Sequence, residues 1–228
     1  MKIFLLFLAL SAPFGTFSEG LLGDVTPQGW IREFLERQCT GLSGHPAAMS
    51  YPYASCLWDG QLERMSTHGS GWWRYEQTAY YSDGLLRLGY ALDRKDYVER
   101  IVSGIEYTLA NATPEGLLGS GIIHREKANF MWPQAVYFRV MQAYYDETRD
   151  ERIPKALEKY YLCYSPEQIS LGRNIVSVEG MLWTYGKTGN KALLDLAEKA
   201  YALGNYELYP ELTEIEGCPH IHGVTYCE

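Results

Sequence analysis

The chain has 228 residues, 46% of them hydrophobic and 21% charged, which is ordinary for a globular protein of one or one and a half domains. Its net charge is −8 and it carries no basic stripe, so the sequence excludes nucleic acid as an expected partner. Aromatic residues reach 14%, and such amphipathic rings serve either a helical core or stacking against sugars.

The first twenty residues, MKIFLLFLALSAPFGTFSEG, are typical of a secretory signal peptide. One lysine precedes an apolar run from Ile3 to Leu10, and small residues follow it. The run is too short to span a membrane permanently. We therefore expect cleavage between Ala12 and Gly20, a secreted or periplasmic product, and no membrane association after cleavage. A short membrane anchor is the alternative interpretation.

The rest of the chain has the periodicity of helices. A first helix is predicted over residues 27–38, with Thr26 as its N-cap and an apolar stripe of Trp30, Ile31, Phe34 and Leu35. A long Gly-, Ser- and Pro-rich loop follows, and long loops in compact domains are usually functional. Further helices are predicted over residues 72–92, 97–110, 130–148, 151–161, 174–187 and 191–206. No strand pattern competes with them, so the fold class is predicted to be all-α.

The last six predicted helices form three similar pairs. In each pair, a helix that is apolar nearly all round leads through a short polar turn to a cap and an amphipathic helix. The predicted caps are Asp96, Asp150 and Asn190. Tight turns at one end and long loops at the other indicate helical hairpins in a toroid, whose inner helices line a cavity.

The beginnings of the predicted inner helices carry side chains that suit a carbohydrate. Sugars present C–H faces to aromatic rings, and their hydroxyls need hydrogen-bond donors and acceptors. The candidate substrate-binding residues are Trp73, Tyr75, Glu76 and Gln77 in the first inner helix and Trp132 and Gln134 in the second. Structural alternatives stay open: Glu76 suits the positive end of a helix dipole, and Trp132 suits simple packing.

Other chemical signatures are weak. Arg139 and Glu179 stand mid-helix among apolar neighbours and predict a buried ion pair or polar network. Glycoside hydrolysis commonly needs two carboxyl groups, and the sequence offers no clear partner for Glu76. There is no GxSxG, HExxH, P-loop or CxxC pattern, and the cysteine count of five is odd. Catalytic residues therefore stay unassigned, and no metal site is predicted within this segment.

The stretch GWWRYEQTAYYSDGLLRLGYAL (71–92) resembles a characteristic segment of the β-L-arabinofuranosidase-like proteins, glycoside hydrolase family 127 and relatives. Further segments fit the same pattern in order. They are GLSGH (41–45), MWPQAVYFRVMQAYYDETRDERI (131–153), NIVSVEGMLWTYGKTGNKALLDLAEKAY (174–201) and HGVTYCE (222–228). The resemblance extends from about Pro27 to Glu228.

This resemblance implies an (α/α)6 barrel, of which three hairpins would be about half. It also implies retaining hydrolysis of arabinofuranosides by a zinc-bound cysteine nucleophile with a glutamate acid/base, all expected beyond Glu228. His222 matches a histidine near the family's substrate, and Glu76 matches the glutamate of the first inner helix. The arabinofuranosidase branch has a histidine in the second inner helix, where this chain has Ala135 and Val136.

These observations lead to one interpretation with alternatives. Residues 1–20 are interpreted as a signal peptide, and residues 21–228 as the apparently truncated N-terminal portion of a six-hairpin glycosidase domain. The expected function is glycoside hydrolase-like, on plant or microbial oligo- or polysaccharides such as arabinofuranosides, with zinc in the full-length family member. The fragment alone is expected to be inactive or feeble. A noncatalytic carbohydrate-binding or scaffold protein, and a polysaccharide lyase, are the alternatives.

Overall fold

The computed structural model describes residues 20–54, 57–59, 73–119 and 131–203, and these residues form helices and turns without a strand. The all-α prediction is therefore confirmed for this part of the chain. The helices are α1 (Gly29–Thr40), α2 (Trp73–Ala91), α3 (Lys95–Ala110), α4 (Met131–Thr148), α5 (Arg152–Tyr161), α6 (Pro166–Ile169), α7 (Ser177–Thr188) and α8 (Lys191–Leu203). Short 3-10 turns include Leu42–Gly44, Leu57–Asp59 and Gly172–Val176.

The predicted hairpins are present as α2/α3, α4/α5 and α7/α8, with boundaries within a few residues of the prediction. Each tight turn contains one residue with a left-handed backbone just after the first helix: Asp93 (φ 54), Arg149 (φ 58) and Gly189 (φ 70). Such a residue ends a helix by turning its last N–H groups back onto the final carbonyls. The three hairpin turns are therefore formed in the same way, by a left-handed residue just after the first helix.

The three predicted N-cap residues do not all occupy cap positions in the structure. The Asn190 side chain accepts a hydrogen bond from the backbone N–H of Ala192 at 3.0 Å, as expected of a cap. Asp150 is one residue too early to be the cap of α5, because Glu151 occupies that position, although its carboxylate accepts a hydrogen bond from the N–H of Arg152 at 3.0 Å. Asp96 is not the cap of α3, because Arg94 occupies that position and Asp96 lies in the first turn. There its carboxylate binds the Arg94 guanidinium through two hydrogen bonds of 2.8 and 2.6 Å.

The hairpins pack as two layers. Helices α2, α4 and α7 lie side by side, with α3 behind α2, α5 behind α4 and α7, and α8 behind α7. The central helix α4 is buried on most sides, whereas α5 is strongly amphipathic. This agrees with the predicted contrast between inner helices and outer helices, since a helix with neighbours on all sides needs apolar residues on all sides.

Helix α1 differs from its prediction in two ways. It begins at Gly29 rather than near Thr26, because the chain enters the helix through a left-handed backbone at Gly29 (φ 55). Its apolar stripe is also largely exposed: Trp30 is 75% and Phe34 53% accessible, whereas Leu35 packs against the core. Helical spacing therefore predicted the apolar face of α1, but it could not predict whether other helices cover that face.

Within the described ranges, no helix combines the length and the apolar character needed to cross a membrane. Nearly all of the predicted signal peptide lies outside the described residues, as does the segment that contains His222.

Candidate functional site

The beginnings of α2, α4 and α7 meet around one carboxylate. Glu76 lies in the first turn of α2, Trp132 in the first turn of α4, and Arg173 in the 3-10 turn before α7. The Trp132 indole Nε1 donates a 2.6 Å hydrogen bond to Glu76 Oε1, and Arg173 Nη2 lies 3.8 Å from the same oxygen. The Arg173 guanidinium also stacks over the Trp132 ring at 3.6 Å. We call these three residues the helix-end cluster.

The helix-end cluster is nearly enclosed. The side chains of Glu76 and Arg173 are 13% and 18% exposed, and Trp132 is 3% exposed. Partial exclusion of water strengthens both the ion pair and the cation–π contact. The start of α2 adds a positive helix dipole beneath the carboxylate. Glu76 therefore fits both interpretations made from the sequence, a helix-end carboxylate and a group positioned for ligand contact.

A set of aromatic residues lies beside the helix-end cluster. Tyr53 donates a 3.0 Å hydrogen bond from its hydroxyl to Gln77 Oε1, which ties the loop to the first turn of α2. The Tyr51 ring packs edge-on against Trp73 at 6.0 Å, and Arg74 donates to the Tyr51 hydroxyl at 3.2 Å. Trp73 remains 45% exposed. The structure thus places an accessible indole next to the polar side chains.

Two candidates lie deeper. Tyr75 is fully buried and meets Trp58 edge-on at 5.8 Å, while Trp58 stacks in parallel on Tyr137 at 3.8 Å. Gln134 is also fully buried, and neither end of its amide has a hydrogen-bond partner among the described residues. These two residues therefore lie beneath the surface on which Trp73 is exposed.

Sequence reasoning missed Tyr51, Tyr53 and Arg173. The two tyrosines belong to the YPY stretch of the loop that was predicted to be functional, so its composition was the available signal. Arg173 had no signal, because its role depends on meeting a helix start 41 residues earlier in the chain (173 − 132). His222 lies outside the described residues, and its predicted role stays a prediction.

Metal binding has no support within the described ranges, where no group of three or more His, Cys, Asp and Glu side chains is arranged to hold an ion. The zinc expected from the family resemblance concerns residues beyond Glu228 and stays a prediction.

A second polar region lies about two turns further along α2 and α4. It is a cleft of about 670 Å³ between α2, α4, α7 and the segment that begins at Gly20. Arg139 and Glu179 line this cleft and are exposed, so the prediction that they form a buried pair was wrong. The reason is tertiary: the faces of α4 and α7 that carry them border the cleft instead of another helix.

Most charges of the cleft are matched. Asp83 pairs with Arg87 at 2.9 Å, and Asp146 pairs with Lys187 at 3.2 Å. Glu147 accepts hydrogen bonds from the backbone N–H groups of Leu22 and Gly23, which anchors the N-terminal segment at the rim. Burial, reinforced by the Glu147 charge and by Tyr144, raises the pKa of the nearby Tyr90 to about 12.

Comparison with known proteins adds no relative: no protein-family model, no curated protein and no solved structure matches the chain. The functional conclusions therefore rest on the contacts described above.

Proposed function

We propose that this chain is a glycoside hydrolase-like protein that binds plant or microbial oligo- or polysaccharides at the helix-end cluster. In this proposal the three hairpins form about half of an (α/α)6 toroid, with α2, α4 and α7 inside. The observation that carries it is the meeting of Glu76, Trp132 and Arg173 at the starts of these helices. The resemblance to β-L-arabinofuranosidase-like proteins makes arabinofuranosides the first substrates to test.

The chemistry of the neighbouring side chains supports a sugar ligand. The exposed Trp73 indole offers a face for stacking against sugar C–H groups, and Gln77 offers an amide beside it. Glu76 and Arg173 supply an acceptor and a set of donors within the same small region. This combination of one aromatic face with convergent polar groups is typical of small-ligand sites.

The binding part of the proposal is tested with a matched pair of tryptophan variants. Trp73→Leu removes the exposed indole beside the helix-end cluster, and Trp30→Leu removes a still more accessible indole on α1. Titration calorimetry of the exported protein with arabinan-derived oligosaccharides should show about tenfold weaker binding for Trp73→Leu, since stacking contributes on the order of 1 kcal/mol. Equal affinities of the two variants, or no binding by the wild type, would refute it.

The hydrolytic part is tested in a full-length version that also carries the remaining hairpins of the proposed toroid, with Glu76→Gln and release of a chromophore from an aryl arabinofuranoside. The amide oxygen of the new glutamine can still accept the Trp132 N–H, so the fold should survive, whereas the charge that faces Arg173 is lost. A glycosidase should lose most of its turnover. Glu33→Gln, on the exposed side of α1, is the control and should keep it.

A noncatalytic carbohydrate-binding or scaffold protein is the second candidate. One observation favours it: the described contacts of the Glu76 carboxylate are to Trp132 and Arg173, and within the described residues no second carboxyl group joins them. A binder needs no acid/base pair. In that case Trp73→Leu would still weaken oligosaccharide binding, while the wild type would show no turnover in the chromophore assay.

A further inference from the structure

The cleft between α2, α4 and α7 contains a buried side chain whose hydrogen-bonding capacity is unused. Gln142 is 8% exposed and lines the cleft, and it has no hydrogen-bond partner in the part of the chain that the structure describes. The Gln142 amide atoms are not among the fully enclosed, unpartnered polar atoms of the described residues, so they reach the open space of the cleft. The donor and the acceptor of this amide are therefore available to a molecule in the cleft.

A carboxylate and an indole stand beside this amide. Glu179 lines the cleft and forms no ion pair or hydrogen bond within the described residues. Burial, and after it the charge of Glu179, raises the pKa of the Tyr161 hydroxyl well above its usual range. That hydroxyl lies next to Gly180, so the Glu179 carboxylate is near the part of α7 that packs on Tyr161. Trp183 follows Glu179 by one helical turn on the same face, is held edge-on by Tyr145 at 5.3 Å, and has Lys187 Nζ over its ring at 5.1 Å.

The charge balance of the cleft favours an uncharged ligand. Its remaining acids are matched by bases or backbone groups, as in the pairs Asp83–Arg87 and Asp146–Lys187. An anion would meet Glu179, and a cation would have to compete with the neighbouring guanidinium groups. A neutral polyhydroxylated ring suits these three side chains. Its hydroxyls can form hydrogen bonds with the Gln142 amide and the Glu179 carboxylate, and its C–H face can stack on Trp183.

We propose that this cleft is a second carbohydrate-binding site, separate from the helix-end cluster, and that it holds a neutral glycosyl unit between Gln142, Glu179 and Trp183. Its volume of about 670 Å³ lies within the usual range of small-ligand sites. The site requires no hydrolysis, so it goes beyond the activity proposed above.

The test uses two cleft variants and one control in the exported protein. Gln142→Met keeps the side-chain length and removes the amide, and Glu179→Gln removes the charge. Glu198→Gln makes the same change on the exposed side of α8, away from the cleft. The probes are neutral trisaccharides of arabinose, xylose and glucose, with a trisaccharide of galacturonic acid as the anionic comparison. Shifts of the Trp183 indole N–H signal, assigned with Trp183→Phe, report on this site alone.

We expect at least one neutral trisaccharide to shift the Trp183 signal, and each cleft variant to weaken that binding about tenfold, as for loss of one hydrogen bond to a charged or buried group. Glu198→Gln should bind like the wild type. The proposal is overturned if no neutral probe shifts the Trp183 signal, if both cleft variants bind unchanged, or if the anionic probe binds best. Thermal unfolding of Gln142→Met should show no loss of stability, which separates lost recognition from lost folding.

Failure of this site and failure of the helix-end site are distinguishable. Trp73→Leu should leave the Trp183 shifts unchanged, because the two residues lie in different regions. If oligosaccharide binding is lost in Trp73→Leu and kept in both cleft variants, the cleft proposal fails while the proposed function stands. If only the cleft variants lose binding, the helix-end proposal fails instead.

Discussion

The helix-end cluster and the cleft are built from the same residue types and differ in how those residues are used. In the cluster, Glu76 accepts the Trp132 N–H at 2.6 Å and faces Arg173, so the three side chains are paired with one another inside the protein. In the cleft, Glu179 and Gln142 have no such partner among the described residues. The comparison teaches that the same residue types can hold helix starts together in one region and leave their polar atoms open in another.

The sharpest test of this difference replaces one tryptophan in each region. Trp132→Ala removes an indole that is 3% exposed and contacts both Glu76 and Arg173, and should lower the free energy of unfolding by about 3–5 kcal/mol. Trp183→Ala removes a half-buried indole and should cost about 1–2 kcal/mol. Urea denaturation measures both. Equal losses would mean that the two regions are equally structural.

A smaller effect is expected from the two glutamates. Glu76→Ala leaves the Trp132 N–H without its acceptor and Arg173 without its counter-charge, and should cost about 2 kcal/mol. Glu179→Ala removes an exposed side chain and should change the free energy of unfolding by less than about 0.5 kcal/mol. The same denaturation experiment decides. A large loss for Glu179→Ala would show that it has a structural partner, which would weaken the cleft proposal.

Glutamine-to-methionine variants test the same comparison by removing amide groups that differ in their hydrogen bonding. Because both ends of the Gln134 amide are buried without partners among the described residues, Gln134→Met should raise the free energy of unfolding by about 1 kcal/mol. The Gln142 amide reaches the open cleft, so Gln142→Met should change the free energy of unfolding by less than about 0.5 kcal/mol. Gln77→Met should instead lower it by about 0.5 kcal/mol, since Tyr53 loses its acceptor. Destabilisation by Gln142→Met would contradict the unused amide on which the cleft proposal depends.

A pH-dependent effect is expected at the rim of the cleft. Tyr90 has its pKa raised to about 12 by burial, then by the Glu147 charge and by Tyr144. The folded protein therefore keeps a proton that the unfolded chain loses near pH 10, so stability is full below pH 10 and decreases from about pH 10 to 12. Urea midpoints across this range should fall less steeply in Tyr90→Phe. An unchanged slope would show that other groups control the decline.

Much of the local structure was predictable from the sequence. The helices α2, α4, α5 and α8 begin within one residue of their predicted starts, and Asn190 caps α8 as expected. The site was less predictable. Tyr75 and Gln134 were grouped with Trp73 as cavity residues, yet the structure buries the first two and exposes the third. Helical spacing gives each side chain a direction around its own axis but not the identity of the neighbour it meets.

The sequence by itself determined that the described part of this protein is a series of helical hairpins, because 3.6-residue periodicity, caps and left-handed turn residues act over a few neighbouring positions. Only the tertiary structure decided that Trp132 and Glu76, 56 residues apart, satisfy each other, and that Arg139 and Glu179 border an open cleft. The physical reason is that hydrogen bonding and burial depend on which helix faces lie together, and that arrangement follows from the packing of the whole core.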